Sequence, residues 1–217
     1  MALKSTEQIG NVIRNGIVFN VKNWILDNHM DTDHLLQSIQ ELFTLLNQRE
    51  IEYVLVGGIA LLNYVEGRNT QDLDLIMSVS ALDKVSEFNV IGQDSDFFRV
   101  DYKGLQVDIL STKNRFFKMI LQKYSNVQKF LDRNIPIVTI EGLLLLKLYS
   151  LPSLYRQANF ARVGIYENDI ATMLHYYKPN LESLISVLAK YLDQQDMIEI
   201  NNILIDIRHR LDRFTNH

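Results

Sequence analysis

The feature that most constrains this chain is a short apolar run that stops at two glycines, Ile51-Glu52-Tyr53-Val54-Leu55-Val56-Gly57-Gly58. Its length and its β-branched and aromatic content favour a strand over a helix. The lack of clean polar alternation marks that strand as buried at the centre of a sheet. Ile59 to Val65 then read as a short helix. Leu73 to Met77 predicts a second strand. Phe97 to Tyr102 and Leu105 to Leu110 predict two more, joined at Lys103-Gly104, a hairpin signal. Residues 81–90 and 113–132 have helical character, and Pro136 admits a short extended piece to Val138.

Helical patterns flank this core. Residues 6–29 carry apolar positions at helical spacing, with Gly16 as a weak point. Asp31 or Thr32 can cap the next helix, whose stripe is Leu35, Leu36, Ile39, Leu42, Phe43 and Leu46. After Thr139 only helices are expected, over 140–151, 165–177, 181–193 and 195–213. The fold class is α/β (α+β): a mixed-sheet core, helices before it and a helical bundle after it. The domain reading is 1–135 for the N-terminal helices and core and 136–217 for the helical region, with a boundary near Pro136.

Composition narrows the chemistry. Lys and Arg number 22 against 26 Asp and Glu, a net charge of -4, which excludes a polycation that holds nucleic acid by bulk charge. Cysteine is absent, so there is no disulfide framework, thiolate zinc site or Cys nucleophile. With five His, a metal is better held by carboxylates. No run approaches the roughly 18 apolar residues that span a bilayer. The N-terminal residues are charged and polar where a signal peptide has its apolar core. A soluble, cytoplasmic protein with no membrane partner is expected.

Three features of the core carry chemistry. Gly57-Gly58 at a strand end lets a ligand approach the backbone, and the helix that follows presents free N–H groups suited to phosphate; the same pair also suits a plain tight turn. Asp72 and Asp74 lie two apart at the start of a strand, so both face one way. Exposed, they are a solvated polar face; on a strand as apolar as Leu73, Leu75 and Ile76 make this one, they call for a cation. Hard oxygen ligands suit Mg²⁺ or Mn²⁺. Asp108 interrupts the apolar run Leu105 to Leu110. Alone it fits the polar side of an edge strand; beside Asp72 and Asp74 it completes a three-carboxylate metal site.

Gly57-Gly58, Asp72-x-Asp74 and Asp108 together resemble the signature of the nucleotidyltransferase (DNA polymerase β-like) superfamily. More narrowly, Gly57-Gly58-Ile59-Ala60 with Arg68-x-Thr70-x-Asp72-Leu73-Asp74-Leu75 is similar to the AbiE-type nucleotidyltransferase toxins. Leu146-Lys147 and Asp169 match a Leu-Lys pair and a later helical Asp of that group. The resemblance covers roughly residues 50–175. Gly58 departs from the Ser that many superfamily members carry there. The resemblance implies an enzyme that moves a nucleoside monophosphate from an NTP to an acceptor hydroxyl. Asp72, Asp74 and Asp108 would be metal-binding and catalytic. Gly57 and Gly58 would bind nucleotide, and Lys147 and Asp169 would join the catalytic set, with Lys147 on phosphate. Lys147 also reads as a lysine snorkelling off a buried helix, and Asp169 as an ordinary first-turn acid.

A basic stretch interleaved with aromatics offers Lys113, Arg115 and Lys118 as an RNA-binding surface beside the site, or simply as the solvated face of an amphipathic helix. Partners implied are an NTP, an RNA or tRNA or protein acceptor, and an antitoxin protein in a toxin–antitoxin or phage-defence setting. The alternatives are an antibiotic (aminoglycoside- or lincosamide-type) acceptor and a non-catalytic binding module on the same fold.

Overall fold

The computed structural model describes residues 32–65, 72–130 and 133–215. The helical pattern over 6–29, the segment Arg68 to Gln71 and the last two residues lie outside them. The chain divides into two units after Thr139.

The first unit opens with α1 (Thr32–Gln48), where Ile39, Leu42, Phe43 and Leu46 of the expected stripe are fully buried, while the side chains of Leu35 and Leu36 lie outside what the structure describes. Phe43 stacks on Tyr53 at the start of β1 (Tyr53–Val56), ring centroids 5.8 Å apart. β1 is buried along its whole length. It runs straight into α2 (Gly57–Leu62). β2 (Leu73–Met77) follows, then α3 (Val79–Leu82), β3 (Asn89–Gln93), β4 (Phe97–Tyr102) and β5 (Leu105–Ser111). Next come α4 (Arg115–Lys123), β6 (Ser125–Phe130) and β7 (Arg133–Val138). Among the described residues the strands form one mixed sheet in the order β3-β4-β5-β2-β1-β7-β6. β1 therefore lies in the interior, antiparallel to β2 and parallel to β7.

Two expected helices are shorter than the sequence suggests. Over 81–90, the helix is confined to Val79–Leu82, where the Ser78 side chain accepts from the Ala81 N–H at 3.0 Å. Asn89–Gln93 is instead the edge strand β3, antiparallel to β4. Val90 and Ile91 are both largely exposed, so no burial period announced the strand. Over 113–132, α4 ends at Lys123 and the chain turns into the β6–β7 hairpin. β7 is held from its other side by β1, through Leu55 beside Ile137. That pairing between distant segments overrides the local preference of a Lys- and Gln-rich stretch.

The second unit is helical: α5 (Ile140–Arg156), α6 (Phe160–Tyr177), α7 (Leu181–Leu188) and α8 (Gln194–Thr215). α5 packs on the other three. Its Leu143, Leu144, Leu145, Leu148 and Leu151 are all buried, as a central helix requires. Asn159 and Asn180 cap α6 and α7 through their side-chain oxygens. No described helix is long and apolar enough to cross a membrane.

Candidate functional site

The sheet register assembles the site. Val56 on β1 stands opposite Asp74 on β2. Asp74 stands beside Asp108 on the parallel strand β5. Asp108 stands opposite Arg99 on β4. Neighbours in register share a face of a sheet, so Asp74, Asp108 and Arg99 form one row across three adjacent strands. Asp72 precedes Asp74 by two residues and Gln106 precedes Asp108 by two, so both lie on that face too. The Gln106 side-chain amide donates to Asp72 Oδ1 at 3.2 Å, which carries the alternation one residue past the start of β2.

Gly57 borders the row from β1. Its φ is +69°, and a Cβ placed there would lie 1.8 Å from Asp74 Oδ2 and 2.4 Å from its Cγ. The glycine is thus required twice, by the left-handed backbone and by the carboxylate lying against its Cα. Gly58 is buried within α2.

Asp108 is only 3% exposed, and a buried carboxylate demands a partner. Arg99 supplies it with a fork: Nε donates to Oδ1 and Nη2 to Oδ2, both at 2.8 Å. The Arg99 guanidinium also sits 5.6 Å from the centre of the Phe97 ring. Its pKa is raised, first by the hydrogen bond to Asp108 against the opposing effect of burial, and then by the charges of Asp108, Asp72 and Asp74. All three carboxylates therefore act electrostatically on one cation. Among the described residues no three carboxylate or imidazole side chains converge closely enough to hold a metal ion; both Asp108 oxygens are turned to Arg99. What the three side chains offer is donor chemistry alone: oxygen atoms only, all on one face, the kind of ligand a hard divalent cation takes.

In the second unit, Lys147 on α5 and Asp169 on α6 come together. Lys147 Nζ is 2.7 Å from Asp169 Oδ2, and both side chains are nearly inaccessible. Lys147 Nζ also lies 4.2 Å from the centre of the Tyr166 ring. A lysine snorkelling to water would be exposed, and this one is not.

No protein-family model matches the sequence, and no curated protein matches it. Solved structures do. An antigenic nucleotidyltransferase-like protein from Paracoccidioides brasiliensis is similar over 98% of this chain and 94% of its own, at 15% identity and a TM-score of 0.54. The antibiotic-resistance factor ANT(2'')-Ia is similar over 87% of this chain and 100% of its own, at 13% identity and a TM-score of 0.50. The fold is nucleotidyltransferase-like.

Within this nucleotidyltransferase-like fold, the expected RNA-binding residues Lys113, Arg115 and Lys118 are all exposed. The register does not carry the first of them to the carboxylates. Met77, the last residue of β2, pairs with Ser111, the last of β5, and the Thr112 N–H donates to the Met77 carbonyl at 3.0 Å. Lys113 therefore lies past the end of β2 opposite to Asp72. Chain connectivity had suggested the rim of the site; the direction of the strand points away from it. Sequence reasoning also missed Arg99 and Gln106. The signal was present in the Lys103-Gly104 turn, and the structure bears that turn out with positive φ at both residues, +52° and +81°, as a two-residue hairpin turn requires. Counting back along both arms from Tyr102 opposite Leu105 brings Arg99 to Asp108.

Proposed function

We propose that this chain is a metal-dependent nucleotidyltransferase. It forms a bond between an acceptor hydroxyl oxygen and the α-phosphorus of an NTP, breaks the bond from that phosphorus to the bridging oxygen, and releases pyrophosphate. The observation that carries this is the row of Asp72, Asp74 and Asp108 on one face of the sheet, bordered by a glycine that only a hydrogen's width separates from Asp74. Asp72, Asp74 and Asp108 would hold Mg²⁺ or Mn²⁺, which when bound neutralises the triphosphate and lowers the pKa of an attached hydroxyl. Asp108 accepts the acceptor's proton. Gly57 makes room for Asp74, and the backbone at Gly57 and Gly58 faces the triphosphate. Lys147 is assigned to phosphate on the resemblance, and Asp169 fixes its ammonium.

The acceptor we favour is RNA, tRNA or protein, with a cognate antitoxin as partner, because the blocks around Gly57-Gly58 and Asp72-Leu73-Asp74 resemble the AbiE-type toxins. The exposed Lys113, Arg115 and Lys118 would contact the backbone of an RNA acceptor beyond the end of β2 opposite Asp72 rather than at the carboxylates. A second reading, transfer to a small antibiotic, is supported by the fold shared with ANT(2'')-Ia. The test is incubation of the purified chain with Mg²⁺ or Mn²⁺ and each labelled NTP, offering total RNA, cell protein and aminoglycosides as acceptors. Label on an acceptor, lost in Asp72→Ala and Asp74→Ala, is the expected result. Toxicity on expression selects the macromolecular acceptor, and drug resistance selects the antibiotic. No transfer and no NTP binding would leave a non-catalytic binding module.

A further inference from the structure

We propose that Arg99 is a resident counter-cation of the carboxylate row, holding Asp108 while no divalent ion is bound there and yielding it when one arrives. The proposal rests on the reading of that row as a metal site. Three observations support it. Asp108 is almost wholly buried, and each of its oxygens receives a hydrogen bond from the same guanidinium. Asp72 and Asp74 share its face and act on the same guanidinium, so the row without Arg99 would concentrate three negative charges on adjacent strands. Arg99 itself keeps 42% of its side chain exposed, so it can swing out to water without opening the core.

The chemistry makes the two cations competitors. An ionised carboxylate has about four lone-pair positions, and the Arg fork takes two of them. A divalent ion at the remaining positions would sit within a few ångströms of the guanidinium charge, and the two repel. A metal that takes Asp108 as a ligand therefore gains most when Arg99 lets go. In this arrangement the clamp keeps the ion-free row compact, and it sets a threshold of metal concentration below which Asp108 stays sequestered. A purely structural arginine would do the first and not the second.

The test is Mn²⁺ affinity, read from the electron paramagnetic resonance signal of free Mn²⁺ in titrations of the full, chelator-stripped chain. Arg99→Met is expected to bind Mn²⁺ about two- to fivefold more tightly than the wild type, the scale of one half-exposed charge pair. Arg99→Lys keeps the charge and loses the fork, so it should fall between the two. Chelator-stripped Arg99→Met should melt below the wild type, and Mn²⁺ should raise its melting temperature by more. Equal or weaker Mn²⁺ binding in Arg99→Met, with clear binding by the wild type, overturns the proposal and leaves the nucleotidyltransferase reading standing. If Arg99→Met does not fold with or without Mn²⁺, an unchanged affinity in Arg99→Lys overturns it equally. A wild-type chain that binds no Mn²⁺, with or without a non-hydrolysable NTP, removes the metal site and this proposal together.

Discussion

Gly57 is where backbone conformation and chemistry meet in one residue. Ala at that position would need φ near +69° and would drive its Cβ into the Asp74 carboxylate. Gly57→Ala should cost about 2 kcal/mol or more in stability, from strain plus the displaced side chain, and should abolish NTP binding. Chemical denaturation and a nucleotide-binding assay check both. The Lys147–Asp169 pair invites a different experiment, because breaking a buried pair strands a charge. Lys147→Met or Asp169→Leu alone should cost about 3–5 kcal/mol, and the double replacement much less. If the pair serves the reaction, the double variant folds and stays inactive. Both residues could be named from the sequence because a Lys and an Asp at those places match a known pattern. Their meeting could not, since it depends on how α5 and α6 pack.

At the scale of elements, the strands whose apolar runs are bounded by turn residues were legible. β1, β2, β4 and β5 lie where the sequence puts them, to within two residues at either end. β3 and β6 were not legible, because both are edge strands with mostly exposed side chains and no period to read. α4 depends on a local cap, the Asn114 side chain accepting from the Phe116 N–H at 2.9 Å. Asn114→Ala should destabilise the first unit by about 1 kcal/mol in a urea titration. In the second unit, α5, α6 and α8 are tied by Tyr155, whose hydroxyl donates to Glu167, and by Arg210, 2.8 Å from the same carboxylate. Burial first, and the Glu167 hydrogen bond second, push the Tyr155 pKa up to about 12 from 10.0. The folded chain thus keeps this proton where the unfolded chain has lost it. The stabilisation is complete below pH 10 and is lost as pH rises from 10.0 to about 12. The melting temperature should fall over that window, and Tyr155→Phe should make the fall shallower.

At the scale of the whole molecule, a net charge of -4 means that any hold on RNA must be local. Replacing Lys113, Arg115 and Lys118 together by Glu should weaken RNA retention strongly relative to the wild-type chain and leave NTP binding unchanged. The salt dependence should flatten by about 0.7 in slope for each phosphate of a single strand that is no longer neutralised. A filter-binding series over salt reads this directly, and wild-type retention in the triple variant excludes these three residues as the hold on RNA. The sequence by itself determined the α/β class, the helical C-terminal region, the central strand and the candidacy of Asp72, Asp74 and Asp108. Those rest on periodicity, on turn residues and on charges set into apolar runs, all of which are local. Only the tertiary structure decided which residues face one another. The Arg99–Asp108 pairing follows from a two-residue turn, but the row from Val56 through Asp74 to Asp108 exists because β2 pairs with β1 on one side and with the distant β5 on the other, in one register. A shift of one residue in any of those pairings would turn a carboxylate to the other face of the sheet. That register is fixed by burying every strand's apolar face at once, a condition that no single segment of the sequence contains.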